Sequence, residues 1–218
     1  MMTIEVKNVS KTIRRQPVIQ HASLSMQSGR IYGLQGINGS GKTMLMRLIS
    51  GLIVPTDGWI LINGKLLGKD LAFPERMGLF LENPAFLDRY SGFHNLKMLS
   101  SIQNRIGDSQ IRSALDQVGL DPFDHKHYRK FSLGMKQRLG IAAAIMEAPD
   151  LILLDEPTNS LDTDGIALVK KILAAERARG ALILISCHDF SILQEMSDEI
   201  FVLESGQIQK HLHAPDFM

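Results

Sequence analysis

A short segment near the N-terminus has the residue types and spacing that bind a phosphate chain. Residues 36–43 read Gly-Ile-Asn-Gly-Ser-Gly-Lys-Thr, which matches the pattern G-x-x-x-x-G-K-[ST]. Glycines let successive backbone N–H groups turn toward a phosphate, and the following helix adds its N-terminal partial positive charge. The lysine neutralises the outer phosphates, and the threonine offers its hydroxyl to Mg²⁺. The residues expected to bind nucleotide here are Gly36, Asn38, Gly39, Ser40, Gly41, Lys42 and Thr43.

Two carboxylates lie much later in the chain, directly after an apolar run. Residues 151–157 read Leu-Ile-Leu-Leu-Asp-Glu-Pro. A strand buried on both faces delivers the residues after it to the sheet edge where open α/β sheets bind ligands. We expect Asp155 to hold Mg²⁺, directly or through water, and Glu156 to orient or deprotonate the attacking water. The alternative is two solvated acids at the start of a turn.

A histidine follows another apolar run in the same way. Residues 181–185 read Ala-Leu-Ile-Leu-Ile, and Ser186, Cys187 and His188 follow. We expect His188 at the same sheet edge, within reach of a γ-phosphate, although a lone histidine is more often a surface or satisfied core residue. Cys187 is predicted to be a small buried apolar residue rather than a reactive thiol.

The elements that must position these side chains follow an α/β pattern. Strand-like runs dominate the first 65 residues, apart from a helix from about Lys42 to Ile49 that ends at Gly51. From about Pro84 to Gly140 the apolar residues recur every three or four positions, as they do in helices. Strand and helix runs then alternate to the C-terminus. Short, fully apolar strands between helices indicate a buried parallel sheet that helices cover.

These runs predict one α/β domain over residues 1–218. Residues 1–83 and 141–218 would form the catalytic core with an N-terminal antiparallel β subdomain. Residues from about 84 to 140 would form an inserted α-helical subdomain. The sequence shows no internal repeat and no low-complexity segment.

Composition excludes several classes of protein. The chain has 218 residues, 44% of them hydrophobic, which suits one globular domain with a real core. A net charge of +1 provides no polybasic surface for nucleic acid, so we expect no nucleic-acid partner. The single cysteine allows no internal disulfide and fits a reducing cytosol. No apolar run has the length of a signal peptide or of a membrane span, so we expect a soluble, cytoplasmic chain that another protein must bring to a membrane if it acts there.

With these motifs in order, the chain resembles the ATP-binding subunit of an ABC transporter over essentially its whole length. Residues 36–43 resemble the Walker A motif, 151–157 the Walker B motif with its glutamate, and 186–189 the switch-histidine motif. Residues 131–142 resemble the ABC signature, and 159–162 resemble the D-loop. The resemblance implies a P-loop NTPase core with a mostly parallel sheet, an ATPase activity, and ATP and Mg²⁺ as cofactors.

The signature segment also has a physical interpretation. Ser132 can cap a helix, Gly134 leaves its first turn open, and a helix N-terminus attracts anions. The resemblance implies that Ser132 and Gly134 close over the γ-phosphate bound by another subunit, in a homodimer or pseudo-dimer that ATP binding closes and hydrolysis opens. The alternative is a plain helix start. The apolar face predicted for this helix carries Leu139, Ala142, Ala143 and Met146.

The chain departs from the family pattern at several positions. Glu82 stands where the family brings a glutamine to Mg²⁺, so its carboxylate is predicted to hold the metal or its water while adding negative charge. Leu133 and Met135 replace common signature residues. Ile13 falls near the position of the aromatic residue that stacks on adenine, so weaker stacking is expected.

The resemblance implies a separate multi-span membrane permease as partner, which would hold the chain on the inner face of the cell membrane. Phe86, Leu87, Tyr90 and Phe93 cluster where the family docks a cytoplasmic helix of that permease, or they form helical core. The signature together with Glu82 is similar to bacterial antibiotic-export and bacteriocin-immunity transporters.

Two other functions remain open. One is a regulatory ABC ATPase that switches a membrane or cell-wall partner without moving cargo. The other is a soluble ABC protein of translation or DNA maintenance, which the absence of a second cassette and of a basic surface disfavours.

Overall fold

The structure is a computed structural model, and it describes residues 1–81 and 85–214. Two sheets and a set of helices form the described part of the chain. The strands are β1 (Thr3–Ile13), β2 (Gln16–Gln27), β3 (Arg30–Gln35), β4 (Asp57–Ile62), β5 (Lys65–Leu66), β6 (Met77–Phe80), β7 (Leu151–Leu154), β8 (Leu182–Cys187), β9 (Glu199–Glu204) and β10 (Gln207–His213). The helices are α1 (Lys42–Ile49), α2 (Gly92–Gln103), α3 (Asp108–Gln117), α4 (Leu133–Ile145), α5 (Thr163–Ala178) and α6 (Phe190–Met196).

The larger sheet has six strands in the order β10-β9-β3-β8-β7-β6, and all its neighbours are parallel except β10 and β9. Every residue of β7 and β8 is buried, as their uninterrupted apolar runs predict. Gln35 pairs with Cys187, and Leu154 pairs with Ile185. The carboxyl ends of β3, β7 and β8 therefore meet at one edge of the sheet. This arrangement confirms the predicted α/β fold.

The smaller sheet has four antiparallel strands in the order β2-β1-β4-β5. Buried and exposed residues alternate along most of β1 and β2, because only one face of this sheet packs on the protein. That face shares an apolar core with α1 and one face of the larger sheet. The opposite face of the larger sheet packs against α2 to α6, which form a second core.

Helix boundaries follow local sequence signals. Helix α1 begins at Lys42 and ends at Ile49, as predicted. Ser132 caps α4, as predicted, and its side chain accepts a hydrogen bond from the Met135 N–H across 3.2 Å. Helix α4 runs from Leu133 to Ile145 and therefore crosses residue 140, the predicted end of the helical insert. The division of the chain into core and insert stays a prediction. No helix among the described residues has the length and apolar character to cross a bilayer.

Candidate functional site

The loop after β3 has a backbone that requires glycine at several positions. Gly39 and Gly41 have φ angles of 81° and 109°, in the left-handed region that glycine adopts without a steric penalty. A Cβ on Gly41 would come within 2.8 Å of the Ile19 Cδ1 atom, and a Cβ on Gly36 would overlap the Leu203 carbonyl oxygen. The loop therefore turns tightly between β3 and the N-terminus of α1, which is the geometry of a phosphate-binding loop.

A cavity of about 760 Å³ opens beside this loop. The Walker A and Walker B segments meet there, although more than a hundred residues separate them in sequence. Its wall also includes β2 residues, α4 and the segment after β9. The predicted site residues that line it are Asn38, Gly39, Gly41, Lys42, Thr43, Asp155 and Glu156. Gly36, Ser40 and His188 line a neighbouring cavity of about 350 Å³, together with Asn38 and Gly39.

Lys42 joins the loop to the second motif. Its side chain is only 5% exposed, and its Nζ donates hydrogen bonds to the carbonyls of Gly36 at 2.6 Å and Ile37 at 3.2 Å. The same Nζ lies 3.5 Å from Oε1 of Glu156. A buried ammonium therefore sits between the turn of the phosphate-binding loop and the carboxylate predicted to be catalytic.

Thr43 and Asp155 lie in direct contact. The Thr43 hydroxyl donates to Oδ2 of Asp155 across 2.5 Å, and the Ser186 hydroxyl donates to Oδ1. Ser186 in turn accepts from the Glu156 N–H across 2.9 Å. Asp155 is only 5% exposed, and these two hydrogen bonds hold both oxygens of its carboxylate in place. A hydroxyl and a carboxylate at one cavity wall are the hard oxygen donors that Mg²⁺ prefers.

Glu156 and His188 form a pair across the ends of β7 and β8. Nδ1 of His188 lies 2.9 Å from Oε2 of Glu156, and the His188 N–H donates to the same oxygen across 3.3 Å. Glu156 has a φ of 49°, an uncommon conformation for a side chain of its type. The contact orients one carboxylate oxygen and leaves the other facing Lys42. This geometry suits a general base whose position is set by a histidine.

The sequence interpretation did not identify Gln137, which is 9% exposed on α4. Its side-chain N–H group donates to the Glu156 carbonyl across 2.8 Å, and Gln137 also lines the larger cavity. The signal available in sequence was a glutamine on the buried side of an apolar helix. Ser186, which orients Asp155, was also given no role.

The signature residues lie apart from the cavity of the same chain. Ser132 is exposed, and neither Ser132 nor Gly134 is among the described residues that line the larger cavity. A Cβ on Gly134 would come within 3.2 Å of the Ser160 carbonyl, so the signature helix packs closely on the D-loop segment. Ser132 at the helix N-terminus is exposed, and its contact with a second subunit stays a prediction.

Three other expectations have different outcomes. Glu82 lies outside the described residues. Ile13 is 39% exposed and is not among the cavity residues, whereas Pro17 and Val18 of β2 line the cavity wall. Cys187 is buried as predicted, and burial raises the pKa of its thiol, which keeps it neutral.

Leu87 and Tyr90 are 54% and 47% exposed, which leaves them open to a partner. Phe86 and Phe93 are partly buried against the helical core, and the Phe86 ring packs edge-on to Tyr128 with centroids 5.4 Å apart. Phe86 and Phe93 thus pack on the helical core, whereas docking through Leu87 and Tyr90 stays a prediction.

The polar side-chain atoms at the site fit a polar ligand such as a nucleotide. Three side-chain oxygens in the described part of the chain are buried without a hydrogen-bond partner, and two of them, Ser40 Oγ and Glu156 Oε1, lie at the site; the third is Ser197 Oγ. Ser40 belongs to the phosphate-binding loop, and Glu156 Oε1 faces Lys42. Buried polar atoms without partners are costly, so their presence on this loop and beside it favours a polar ligand. The oxygens of Thr43 and Asp155 fit a bound Mg²⁺.

Comparison with known proteins agrees with this geometry. A family model described as "ABC transporter" matches residues 19–159. The chain is 47% identical over 206 residues to the uncharacterized ABC transporter ATP-binding protein YybJ of Bacillus subtilis, with 94% of each chain covered. It is 36% identical over 212 residues to the bacitracin transport ATP-binding protein BcrA of Enterococcus faecalis, covering 96% of this chain and 69% of that one. A solved ATP-binding subunit of an ABC transporter superposes with a TM-score of 0.86 at 26% identity, covering 98% and 90% of the two chains.

Proposed function

This chain belongs to the ABC transporter family, and we propose that it is the ATP-hydrolysing subunit of a bacterial exporter of antibiotic-like compounds. It binds and hydrolyses ATP to power transport, as an ATP-binding subunit of this family. The observation that carries the proposal is the meeting of Lys42, Thr43, Asp155 and Glu156 at one cavity. The exporter assignment rests on the similarity to the bacitracin transport protein.

The proposed chemistry assigns one role to each group of this chain. Bound MgATP supplies the phosphoanhydride bond and the cation that neutralises its phosphates. Lys42 and the N–H groups of the loop at Gly39 and Gly41, whose left-handed φ angles let the backbone turn tightly, hold the phosphate chain. Glu156 accepts a proton from the attacking water, and His188 holds the carboxylate that does so. Thr43 and Asp155 hold Mg²⁺, and Glu82 would add a third oxygen ligand or bind its water.

The exposed signature helix supports a dimer. Ser132, at the N-terminus of α4, is exposed and is not among the described residues that line the cavity of its own chain. A second subunit arranged head to tail would bring its own phosphate-binding loop against this N-terminus, where the partial positive charge stabilises an anion. We therefore propose a homodimer or pseudo-dimer that encloses the nucleotide between its subunits.

An apolar surface on the helical side supports a membrane partner. Leu87 and Tyr90 are about half exposed, and Ile102 at 78% exposure lies at a groove of about 260 Å³ that Leu99 and Met77 also line. The groove is also lined by Arg76, Arg105 and Glu147, and a groove with apolar side chains and a charged rim can receive a helix of a partner. We propose that a separate multi-span permease docks here, which would place the chain at the inner face of the cell membrane.

The regulatory alternative is not favoured. A chain that only switched a membrane or cell-wall partner would need the same cavity, so the cavity does not separate the two functions. A relative with a described activity is a transport protein, and its similarity extends over 96% of this chain. A soluble role in translation or DNA maintenance has no support in the family match.

The test is a pull-down of tagged Glu156→Gln in mild detergent with MgATP, followed by mass spectrometry. We expect a multi-span membrane protein in the eluate and a captured ATP-bound dimer. Lys42→Ala is the control, because it should not bind ATP and should lose the ATP-dependent part of the capture. A soluble partner, or none beyond the chain itself in intact membranes, would contradict the transporter assignment.

A further inference from the structure

A second cluster of ligand-type side chains lies at the outer edge of the larger sheet. Glu199 at the start of β9 and His211 and His213 of β10 place one carboxylate oxygen and two imidazole nitrogens within 4.8 Å of one another. Nε2 of His211 lies 2.7 Å from Oε2 of Glu199, and Nδ1 of His213 lies 3.7 Å from the same oxygen. Nothing in the nucleotide site uses these residues.

Strand geometry explains why the three side chains converge. His211 and His213 are two residues apart in a strand, so their rings project from the same face. Their ring centroids are 4.4 Å apart. His213 pairs directly with Glu199 on the antiparallel neighbour β9, and cross-strand pairs on one face bring side chains into contact. The His211 ring stacks on the buried Phe201 ring at 4.3 Å, which restricts its orientation.

We propose that Glu199, His211 and His213 form a binding site for a divalent transition metal, with Zn²⁺ as the best fit. Two imidazole nitrogens and one carboxylate oxygen are a donor set that Zn²⁺ accepts, with a fourth position open to water. Mg²⁺ and Ca²⁺ prefer all-oxygen sites, so the magnesium of the nucleotide site is a poor competitor here. A neutral His211 ring that binds Zn²⁺ through Nε2 carries its proton on Nδ1. If the ring is cationic before binding, it releases the Nε2 proton to solvent when Zn²⁺ binds.

A neighbouring cation completes the arrangement around Glu199. Arg30 of β3 forms an ion pair with Oε1 of Glu199, the oxygen that the histidines do not face. The contact raises the pKa of the Arg30 guanidinium through its hydrogen bond to Glu199. A neighbouring residue that hydrogen-bonds one oxygen of a ligating carboxylate orients that carboxylate and leaves its other oxygen free to bind the metal. The positive charge of Arg30 also weakens the attraction of a cation, so the affinity should be moderate.

The cluster is separate from the phosphate-binding loop. Glu199 pairs with Tyr32 of β3, whereas the loop follows Gln35, which pairs with Val202. Three residues of strand, about 10 Å, therefore separate the cluster from the start of the loop. The metal would join β10 to β9, and β9 continues into Ser205 and Gly206 at the wall of the nucleotide cavity.

The experiment is calorimetric titration of Zn²⁺ into the nucleotide-free full chain after chelator treatment, with Co²⁺ absorption spectra as a second readout. We expect one Zn²⁺ per chain and a d–d spectrum of tetrahedral Co²⁺. His211→Ala and His213→Ala should each weaken Zn²⁺ binding by at least about tenfold. Glu199→Gln, which keeps the shape of the side chain beside Arg30, should weaken it as well.

Two control variants locate the metal. His125→Ala removes an exposed histidine outside the cluster and should leave the titration unchanged. His188→Ala tests the group of Glu156, Cys187 and His188, whose ligand atoms are also within 4.8 Å of one another. The proposal is overturned if the unmodified chain binds no Zn²⁺, if binding persists unchanged in His211→Ala and His213→Ala, or if only His188→Ala abolishes it.

Thermal unfolding gives an independent check. A metal that binds only the folded chain raises its stability, so Zn²⁺ should raise the Tm of the unmodified chain. The increase should disappear in His211→Ala, whose own Tm without Zn²⁺ is the reference, because loss of the contacts with Glu199 and Phe201 also lowers stability. An equal increase in both proteins would contradict the site.

Discussion

The side-chain amide of Gln137 donates a hydrogen bond to the backbone carbonyl of Glu156 across 2.8 Å. This bond joins the helix that begins with the signature segment to the peptide that carries the proposed general base. Glu156 has a left-handed φ of 49°, a conformation that persists only where its surroundings hold it. Gln137 is therefore placed to act as a positioning residue: a shift of α4 would move Glu156 relative to Lys42 and His188.

Replacing Gln137 by Met should slow ATP hydrolysis without weakening ATP binding. Methionine keeps the length of the side chain but has no N–H donor, so the Glu156 carbonyl loses its partner. One such hydrogen bond contributes about 1 kcal/mol, and about fivefold in kcat is the expected loss. Nucleotide affinity should stay within about twofold, because Lys42 and the glycine loop remain.

Steady-state ATPase assays and equilibrium binding of a fluorescent ATP analogue separate these two quantities. Gln117→Met, an exposed position on α3, is the matched control and should leave both unchanged. An equal loss of kcat and of nucleotide affinity in Gln137→Met would assign it a structural role instead.

Lys42→Ala should abolish tight ATP binding. The ammonium is buried beside the loop carbonyls at the wall of the cavity proposed to hold the phosphates. Charge-assisted contacts of about 3 kcal/mol correspond to a loss of about a hundredfold in affinity. Calorimetry with MgATP measures it, and Lys171→Ala, an exposed lysine on α5, is the control. Unchanged affinity in Lys42→Ala would refute the assignment of the phosphate-binding loop.

Glu156→Gln should bind ATP but fail to hydrolyse it. The amide keeps the contacts with His188 and the cavity, yet it cannot accept a proton from water. Loss of a general base reduces turnover by about a hundredfold or more. Size-exclusion chromatography with MgATP should show an accumulated dimer. Glu5→Gln, an exposed glutamate on β1, should turn over normally; near-normal turnover in Glu156→Gln would mean that another group is the base.

Cys187 should make the stability of the chain fall with rising pH. Burial raises the pKa of its thiol in the folded state, with hydrogen bonds to Asp189 and Thr158 opposing the shift. Above the thiol pKa of the unfolded chain, the folded chain binds more protons than the unfolded chain, so each further rise in pH favours unfolding. Urea denaturation from about pH 7 to about pH 10 measures the slope. Cys187→Ala should be less sensitive to pH over this range; an identical slope would exclude the thiol.

Gly78→Ala should destabilise the fold. A Cβ on Gly78 in β6 would overlap the carbonyl oxygen of Ala144 on α4 and come within 2.9 Å of Pro149. Backbone atoms cannot move aside cheaply, so we expect a loss of about 3 kcal/mol in the free energy of unfolding. Gly92→Ala is the control, because its Cβ would make an ordinary contact of 3.4 Å with Leu139. Equal unfolding midpoints for the two variants would show that β6 and α4 are less closely packed.

The parts of the fold that sequence predicted are those with local signals. Helix α1 has glycine punctuation on both sides, and β7 and β8 are uninterrupted apolar runs that burial on both faces requires. Strand β10 was not predicted, because most of its residues are exposed or polar and its pairing with β9 alone makes it a strand. The path of strand β2 beyond Pro17 was likewise not predicted, because no local sequence signal specifies it.

The sequence by itself determined which residues are assigned to the proposed nucleotide site. Lys42, Thr43, Asp155 and Glu156 belong to short motifs whose strand or helix context lies within a few residues. Only the tertiary structure decided which side chains meet: Gln137 with Glu156, Ser186 with Asp155, and Glu199 with His211. The physical reason is that local patterns specify backbone conformation, whereas these contacts depend on strand register and helix packing between distant segments. Those two quantities are set by burial of the whole core.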